Sequence, residues 1–292
     1  MRDGGQAVLT RTFLHVPRVG PQTERRLWRA GFVDWQNCLA RVEEVPLGPV
    51  RRHLLAECLR RSLAALSAED AGFFARTLPR SEMWRLFAAF RHRAVFLDIE
   101  TTGLGGPGDV ITLVGLYDGE HPRVFIRGIN MAGLPETLRP FSLVVTYNGA
   151  QFDLPFLRAH FAGTRMPEVT VPTAHLDLRF PLARLGYRGG LKGVERQVGL
   201  DRHPWIAGLT GFDAVVLWQQ YQAGSRDALR RLVAYNLADV LNLEVLAAFL
   251  YNEMVLHQCR EGALPESVPL LALPTGNYEA SLREAYAQVR LG

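Results

Sequence analysis

The sequence predicts an α/β fold, in which a mixed five-stranded sheet is flanked by helices and preceded by a small helical domain. Three observations support this fold class. The first third of the chain is rich in arginine and spaces its apolar residues as helices do. From about residue 91, short strand-like runs alternate with turns that contain glycine or proline. Beyond the fifth such run, helical patterns dominate the sequence.

These changes of pattern predict three regions. Residues 1–88 form a helical, Arg-rich module, residues 89–256 form the α/β domain, and residues 257–292 form a mostly irregular tail with a short helix near its end. Prolines keep the tail irregular because they lack a backbone donor. They are Pro265, Pro269 and Pro274.

Helical spacing in the first region is clearest in "PVRRHLLAECLRRSLAAL", which begins at residue 49. Its apolar side chains recur on one helix face. They are Leu54, Leu55, Cys58, Leu59 and Leu63. The next run, "SAEDAGFFARTL", places Ser67 ahead of Glu69 and Asp70, which predicts that a helix begins at Ser67.

Strands of the second region are predicted from "AVFLDIET", "DVITLVGLYDG" and "RVFIRG", whose short connections favour antiparallel neighbours. A short helix near residues 133–139 precedes the fourth strand, "SLVVTYNG". "LPFLRAHF" is predicted as a helix with Pro155 in its first turn, where the missing N–H does no harm. "TAHLDL" is the short fifth strand. Helices are then predicted from "LKGVERQV", "FDAVVLWQQYQ" and residues 227–255.

Composition narrows the class of protein. Of the 292 residues, 48% are hydrophobic and 21% are charged, as in ordinary globular proteins. The sequence has no run of 18 apolar residues and its first residues lack the apolar core of a secretion signal, so no membrane contact is expected. The three cysteines (Cys38, Cys58 and Cys259) are far apart and match no metal-ligand spacing. We therefore expect reduced cysteines and a cytoplasmic location.

Charge is unevenly distributed along the chain. Residues 1–93 carry 16 basic and 9 acidic residues, whereas residues 94–292 carry 17 basic and 20 acidic residues. A basic first third predicts binding to a polyanion, and a solvated arginine face is the alternative. Arginine outnumbers lysine by 32 to one, which either favours phosphate recognition or reflects genome base composition. The single lysine is Lys192.

Two carboxylates interrupt the first predicted strand. Asp98 and Glu100 alternate with apolar residues, so both side chains lie on the same face of the strand. Their separation along the strand is about 6.5–7 Å. Two carboxylates at this distance can share a hard divalent cation such as Mg²⁺, which would offset the cost of burying them. The alternative is a strand end that reaches solvent.

Further acidic residues follow later in the chain. Asp153 follows the fourth strand in "TYNGAQFD", where it would either bind a metal or cap the next helix. Asn148 in the same run is also a good turn former. Tyr235 and Asp239 are four residues apart in "LVAYNLADVL" and therefore share a helix face beside an apolar stripe. A solvated helix face is the alternative for Asp239.

The ordered spacings D-x-E, N-x4-D and Y-x3-D resemble the DEDD superfamily of 3′–5′ exonucleases, in its tyrosine-bearing (DEDDy) branch, on a ribonuclease-H-like fold. More narrowly, the chain resembles the bacterial predicted ribonuclease-H-like exonuclease family. The resemblance covers roughly residues 91–250 and rests on "FLDIETTGL", "VVTYNGAQFDLPFL", "HLDL", "LKGVERQVGL" and "YNLADVLNLEVL". In the histidine-bearing branch the histidine would fall at Ala234, so the tyrosine branch fits better. Asn148 and Asp153 are separated by one or two residues more than is common in the family.

The resemblance implies a catalytic site with four metal-binding carboxylates: Asp98, Glu100, Asp153 and Asp239. It implies two Mg²⁺ or Mn²⁺ ions, about 3.5–4 Å apart, that hold the attacking and leaving oxygens of a phosphodiester. Tyr235 would orient the attacking water, because its ordinary pKa near 10 makes it a poor base at pH 7. The implied partner is DNA or RNA, with single-stranded 3′ ends as the expected substrate.

Several residues are predicted to contact that nucleic acid. Thr101 and Thr102 follow the first strand, and Asn148 follows the fourth. Lys192 follows "YRGG", where it would meet a phosphate, and a solvated helix residue is the alternative. His175 and Asp177 are interpreted as structural.

The N-terminal run "FLHVPRVGPQTERRLWRAGF" is similar to a helix-hairpin-helix, which presents backbone N–H groups to phosphates. The hairpin is degenerate, since Arg18 stands where the first of its two usual glycines lies and only Gly20 remains. Arg18 and Arg25 would contact phosphates electrostatically. The alternative is a hairpin used only for packing.

Three hypotheses for the function therefore remain. The first is a metal-dependent 3′–5′ exonuclease. The second is a catalytically inactive nucleic-acid-binding protein of the same fold, and the third is a structure-specific endonuclease.

Overall fold

The computed structural model describes residues 8–106, 108–162, 171–260, 264, 268–275 and 277–290. The chain forms two compact units: Met1–Arg91 with Ala248–Ala272, and His92–Ala247 with Leu273–Gly292. The predicted boundary at residue 88 lies close to this division, and the predicted tail from residue 257 is divided between the two units. Residues 1–7 of the predicted module and Pro265 of the predicted tail lie outside the described residues.

The first unit is helical, as predicted. Its helices before residue 91 are α1 (Pro21–Arg29), α2 (Trp35–Ala40), α3 (Pro49–Ser67), α4 (Ala71–Thr77) and α5 (Leu86–Phe90). Aromatic side chains lie at its core: the buried Trp35 donates its indole N–H to the Thr12 carbonyl at 2.7 Å and stacks on Phe74, with ring centroids 5.8 Å apart.

The prediction that a helix begins at Ser67 is wrong. Ser67 is the last residue of α3, and Glu69 then takes a left-handed backbone conformation (φ 55°) that ends the helix. The next helix begins at Ala71, because the Asp70 carboxylate accepts a hydrogen bond from the Phe73 N–H at 2.9 Å and caps it. The cap therefore lies three residues later than predicted.

The turn expected from "VPRVGP" leads into α1. Arg18 takes a left-handed conformation (φ 64°) that glycine adopts more readily, and its carbonyl accepts a hydrogen bond from the Arg51 guanidinium at 3.0 Å. Gly20 is the N-cap of α1 and Pro21 its first residue. The side chains of Arg18 and Arg25 are exposed on this unit.

Buried charges in the first unit have dedicated partners. The buried Glu24 carboxylate accepts hydrogen bonds from the Phe13 N–H at 2.6 Å and the Thr12 hydroxyl at 2.8 Å. The buried Arg85 guanidinium pairs with Glu82 at 2.8 Å. Each carboxylate therefore meets donors supplied by the protein itself.

The second unit contains the predicted mixed five-stranded sheet, with strand order β3-β2-β1-β4-β5. The strands are β1 (Ala94–Thr101), β2 (Ile111–Tyr117), β3 (Pro122–Ile126), β4 (Leu143–Thr146) and β5 (Ala174–Asp177). The first three strands pair antiparallel, as their short connections predicted. Strand β4 pairs with β1 in parallel, and β5 pairs with β4 in parallel. Strand β1 therefore lies at the centre of the sheet.

Helices cover both faces of this sheet. They are α6 (Leu134–Leu138), α7 (Asp153–Ala162), α8 (Arg179–Arg184), α9 (Leu191–Gln197), α10 (Gly211–Gln222), α11 (Arg226–Arg260) and α12 (Tyr278–Gln288). The residues of α11 up to Ala247 belong to this unit. The short helix α8 was not predicted, whereas α12 confirms the helix expected near the end of the chain. By composition α11 is apolar enough to cross a membrane, but 78% of its most apolar window is buried inside the protein, as in a core helix.

The two faces of β1 differ in character. Val95, Leu97 and Ile99 face an apolar core shared with α6 and α7. Because strand side chains alternate, Asp98 and Glu100 face the opposite side, where Asn236 of α11 contacts them. The fold therefore brings the two acidic residues of the central strand against the longest helix.

Candidate active site

A glycine on β2 makes room for the contact between β1 and α11. Gly115 pairs with Asp98 across the sheet, and a Cβ atom at this position would overlap the Asn236 side-chain amide. The buried Asn236 donates to the Asp98 carboxylate at 2.8 Å and lies 3.5 Å from Glu100 Oε1. The helix thereby approaches the strand closely enough for its own acidic residue to reach the same place.

Three carboxylates converge at this point. Asp98, Glu100 and Asp239 each offer an oxygen, and these oxygens lie within 4.8 Å of one another. Glu100 and Asp239 are buried, while Asp98 retains a partial opening to solvent. An all-oxygen donor set of this size suits Mg²⁺ or Mn²⁺ rather than a softer metal.

The three carboxylates are close enough to shift one another's pKa values. Burial, followed by the Asp239 carboxylate, raises the pKa of Asp98 well above its usual range. The same two causes raise the pKa of Glu100 to about 8. Burial also raises the pKa of Asp239, although the cations of Arg202 and Lys192 oppose this. A divalent cation bound between the three carboxylates would offset the repulsion between them, so this set of donors fits such an ion.

The fourth predicted ligand, Asp153, lies at the start of α7 and borders the same cavity. Its Oδ1 accepts a hydrogen bond from the Ile99 N–H at 3.2 Å, between the two acidic residues of β1. Burial raises its pKa to about 7. Asp153 is not one of the three residues whose oxygens lie mutually within 4.8 Å, so the structure places it beside that cluster rather than in it.

Tyr235 lies one turn before Asp239 on α11 and borders the cavity. Burial, followed by the Asp239 carboxylate, raises its pKa well above its usual range, so its hydroxyl keeps the proton. The Lys192 ammonium contacts that hydroxyl and lies 4.1 Å from the centre of the tyrosine ring. The half-buried Lys192 side chain therefore reaches the acidic site from α9, and its contact with a phosphate stays a prediction.

The Arg202 guanidinium is a second cation that contacts the cluster, through Asp239. Arg202 contacts Asp239 Oδ1 through Nη2, and it pairs with Glu195 through Nε at 2.7 Å and Nη2 at 2.6 Å. Asn242 of α11 donates to the same glutamate at 2.9 Å. Arg202, Glu195 and Asn236 were not predicted as site residues. A sequence signal existed only for Asn236, a polar residue within the apolar stripe of α11.

The cluster opens into a cavity of about 580 Å³. Its lining includes four residues predicted to contact substrate: Thr101, Thr102, Asn148 and Lys192. Two apolar side chains on its rim face solvent, Leu104 with 93% and Phe212 with 75% of their surface exposed.

Three of the residues predicted to contact substrate also have roles within the protein itself. The Thr101 hydroxyl donates to the Gly103 carbonyl at 2.6 Å, and the Thr102 hydroxyl accepts from the Val110 N–H at 2.9 Å, so both hold the following loop. Asn148 takes a left-handed conformation (φ 67°), which supports its role as a turn former. Arg18 and Arg25 belong to the first unit.

His175 and Asp177 have the structural role expected for them. Asp177 accepts hydrogen bonds from the N–H groups of Asn148 and Ala150 at 2.7 and 3.0 Å, and thereby holds the turn after β4. His175 Nε2 lies 2.8 Å from the Thr146 hydroxyl. Gly149 packs against that threonine, where a Cβ would clash. These contacts fix the path of the chain towards Asp153.

Several solved structures are similar to part of the chain. Brucella melitensis NrnC with bound Mg²⁺ is 20% identical with a TM-score of 0.36, and the match covers 69% of this chain and 86% of the other. The same protein bound to pGG is 21% identical, with a TM-score of 0.37 and coverages of 69% and 85%. A family B DNA polymerase from the hyperthermophilic archaeon Pyrobaculum calidifontis is 19% identical, with a TM-score of 0.42 and coverages of 68% and 29%.

No curated protein sequence matches the chain. The sequence model of the RNase H superfamily matches residues 95–251, which include the three clustered acids and nearly the whole five-stranded sheet. Because this match spans more than half of the 292 residues, the chain belongs to the RNase H superfamily.

Proposed function

We propose that this protein is a metal-dependent nuclease of the DEDDy type, which removes nucleotides from the 3′ end of DNA or RNA. The observation that carries the proposal is the convergence of Asp98, Glu100 and Asp239 in one cavity. Membership of the RNase H superfamily supports hydrolysis of phosphodiesters by such a cluster. The tyrosine one turn before Asp239 supports the tyrosine-bearing branch.

Two divalent cations, Mg²⁺ or Mn²⁺, would supply the Lewis acidity that activates water and stabilises the leaving 3′ oxygen. Asp98, Glu100 and Asp239 would hold the first ion. Asp153, which borders the cavity beside the cluster, would hold the second ion together with Asp98, which the two ions would share.

Tyr235 acts as a hydrogen-bond donor in this proposal. Its raised pKa keeps the hydroxyl protonated at neutral pH, so it orients the attacking water rather than removing its proton. Lys192 contacts that hydroxyl, and its ammonium is available to a non-bridging oxygen of the scissile phosphate. The two residues act on the water and on the phosphate, respectively.

The rim of the cavity supports a single-stranded substrate. The exposed Leu104 and Phe212 side chains offer apolar surface to a base that is no longer stacked on its neighbours. Purine and pyrimidine bases both have such faces, so this rim predicts little sequence preference. The exposed Arg18 and Arg25 of the first unit would add contacts to the phosphate backbone that carry no sequence information.

The deciding experiment uses single-stranded DNA and RNA oligonucleotides labelled at the 5′ end, with Mg²⁺ or Mn²⁺. We expect a ladder that shortens one nucleotide at a time from the 3′ end, and loss of this ladder in Asp239→Asn. The matched control is Asp227→Asn, on the same helix but with 87% of its side chain exposed. Equal cleavage by Asp239→Asn, or an uncut wild-type reaction, would overturn the proposal.

The same assay separates the two competing functions. A closed single-stranded circle has no 3′ end, so its cleavage would identify an endonuclease. Salt-dependent binding of the labelled strand without cleavage would identify an inactive binding protein.

A further inference from the structure

The metal-binding face of Asp239 is backed by a buried ion-pair network. Arg202 lies in the segment between α9 and α10 and contacts Asp239 Oδ1. Its second partner is Glu195 on α9, held through two hydrogen bonds. The exposed fractions of the Arg202, Glu195 and Asp239 side chains are 7%, 2% and 7%, so solvent screens none of these contacts effectively.

The network is larger than a structural ion pair requires. The fork of Arg202 is already matched by Glu195, whose carboxylate receives both Nε and Nη2, and Asn242 donates to Glu195 at 2.9 Å. The contact between Arg202 and Asp239 comes in addition to this pair. It is directed at one oxygen of a carboxylate whose neighbours are Asp98 and Glu100.

We propose that Arg202 is a positioning residue for Asp239. By binding Oδ1 it fixes the carboxylate rotamer and leaves the other oxygen for the cation held with Asp98 and Glu100. A planar guanidinium suits this task, because its fork holds Glu195 and Asp239 in one fixed geometry. The inference rests on the proposed metal site, and it adds a residue that acts on the site without contacting metal or substrate.

Charge balance dictates the test variant. Arg202→Met alone would leave Glu195 buried without its cation, which destabilises proteins strongly. The double variant Glu195→Gln with Arg202→Met removes one positive and one negative charge, so the net charge around Asp239 is unchanged. The glutamine side chain would keep an acceptor for Asn242. A change in metal affinity would then report the lost positioning rather than a change in net charge.

Binding of Mn²⁺ is measured by electron paramagnetic resonance of the free ion, with no nucleic acid present. We expect the dissociation constant to rise at least fivefold in the double variant. At saturating Mn²⁺ we expect kcat on the oligonucleotide to fall at least tenfold, with KM changed less than threefold. Arg196→Met, which removes an exposed arginine of the same helix as Glu195, is the control and should match the wild type.

A folded double variant with wild-type Mn²⁺ affinity and kcat would overturn the inference and leave Arg202 a purely structural residue. If the double variant does not fold, Arg202→Lys decides by the same Mn²⁺ measurement: a dissociation constant above that of the wild type supports positioning, and an unchanged one refutes it. Wild-type protein that binds Mn²⁺ but cuts no nucleic acid would end the proposed function and not this inference. Wild-type protein that binds no Mn²⁺ would end the inference.

Discussion

Buried carboxylates occur in both units of the protein, and their surroundings differ. In the first unit Glu24 stands alone among donors, with hydrogen bonds from a hydroxyl and a backbone N–H. In the second unit Asp98 and Glu100 face Asp239, and the Asn236 amide is their shared protein donor. Burial raises the pKa of Glu24, whereas at Asp98 and Glu100 like-charged neighbours add to the effect of burial.

This difference shows which feature marks a functional site. Burial of an acidic residue is not itself informative, because Glu24 is buried for structural reasons and accepts two hydrogen bonds from the protein. The informative feature is a group of carboxylates with fewer donors than their charge requires, since such a group needs an external cation. Substitution of the buried acid in the first unit should therefore lower stability and leave activity unchanged, whereas substitution in the cluster of the second unit should raise metal-free stability and lower activity.

The largest expected effect is at Asp98. Asp98→Asn should lower the rate of phosphodiester cleavage by about a thousandfold or more, equivalent to roughly 4 kcal/mol of transition-state stabilisation. In metal-free buffer the same variant should unfold at a higher temperature than the wild type, because it removes a like charge from a buried cluster. Single-turnover cleavage and thermal unfolding in EDTA measure the two effects. A lower unfolding temperature in EDTA would contradict this description of the cluster.

The first unit should lose stability in acid. Burial lowers the pKa of His15 to about 4, so the unfolded chain binds its proton more readily. The contribution of neutral His15 is complete above its ordinary pKa near 6.5 and is lost as the pH falls towards 4, at a cost of about 3 kcal/mol. His15→Phe, which keeps the ring packed against Trp35, should weaken this acid dependence in urea unfolding curves. An unchanged acid limb would show that His15 is not its source.

The second unit should show the opposite dependence when metal is removed. The pKa of Glu100 is raised to about 8 and that of Asp153 to about 7, so the folded state holds protons that the unfolded chain releases. The contribution of these two groups to stability is complete below about pH 4 and is lost as the pH rises through 7 and 8. Unfolding in EDTA should reveal this alkaline loss, and saturating Mg²⁺ should abolish it. A loss that persists unchanged in Mg²⁺ would argue against metal binding by these residues.

A smaller effect is expected when the matched carboxylate of the first unit is changed. Glu24→Ala removes the acceptor of the Thr12 hydroxyl and the Phe13 N–H, leaves both buried donors unpaired, and should lower the free energy of unfolding by about 1–2 kcal/mol. Cleavage by the folded protein should be unchanged. Urea unfolding and the oligonucleotide assay check both statements. A stabilised Glu24→Ala would remove the distinction between the two kinds of buried acid.

The smallest effect is expected at the cavity rim. Phe212→Ala removes an exposed ring and should raise KM for single strands about five- to tenfold, within the roughly 1–3 kcal/mol attributed to stacking of one base. The value of kcat should change little, because Phe212 is not one of the charged groups. Val50, exposed by 81% in the first unit, provides the matched control as Val50→Ala. A larger fall in kcat than in affinity would argue against a base-binding role.

Much of this fold could be predicted from local patterns in the sequence. All five strands, their antiparallel start and the face shared by Asp98 and Glu100 follow from alternation and short connections. The acidic positions are visible because a charge within an apolar pattern is a local signal. What remained hidden depends on tertiary contacts: Arg202 lies in a segment without periodicity, and its link to Asp239 spans 37 residues. The short α8 and the cap at Asp70 were missed because few residues decide them.

The most direct test of metal binding by the clustered acids is a crystal of the protein soaked in Mn²⁺ and measured at the manganese absorption edge. We expect an anomalous difference peak bound by oxygens of Asp98, Glu100 and Asp239, and the loss of that peak in Asp239→Asn. Well-ordered carboxylates without a peak between them, or a peak only elsewhere on the protein, would contradict the proposed site.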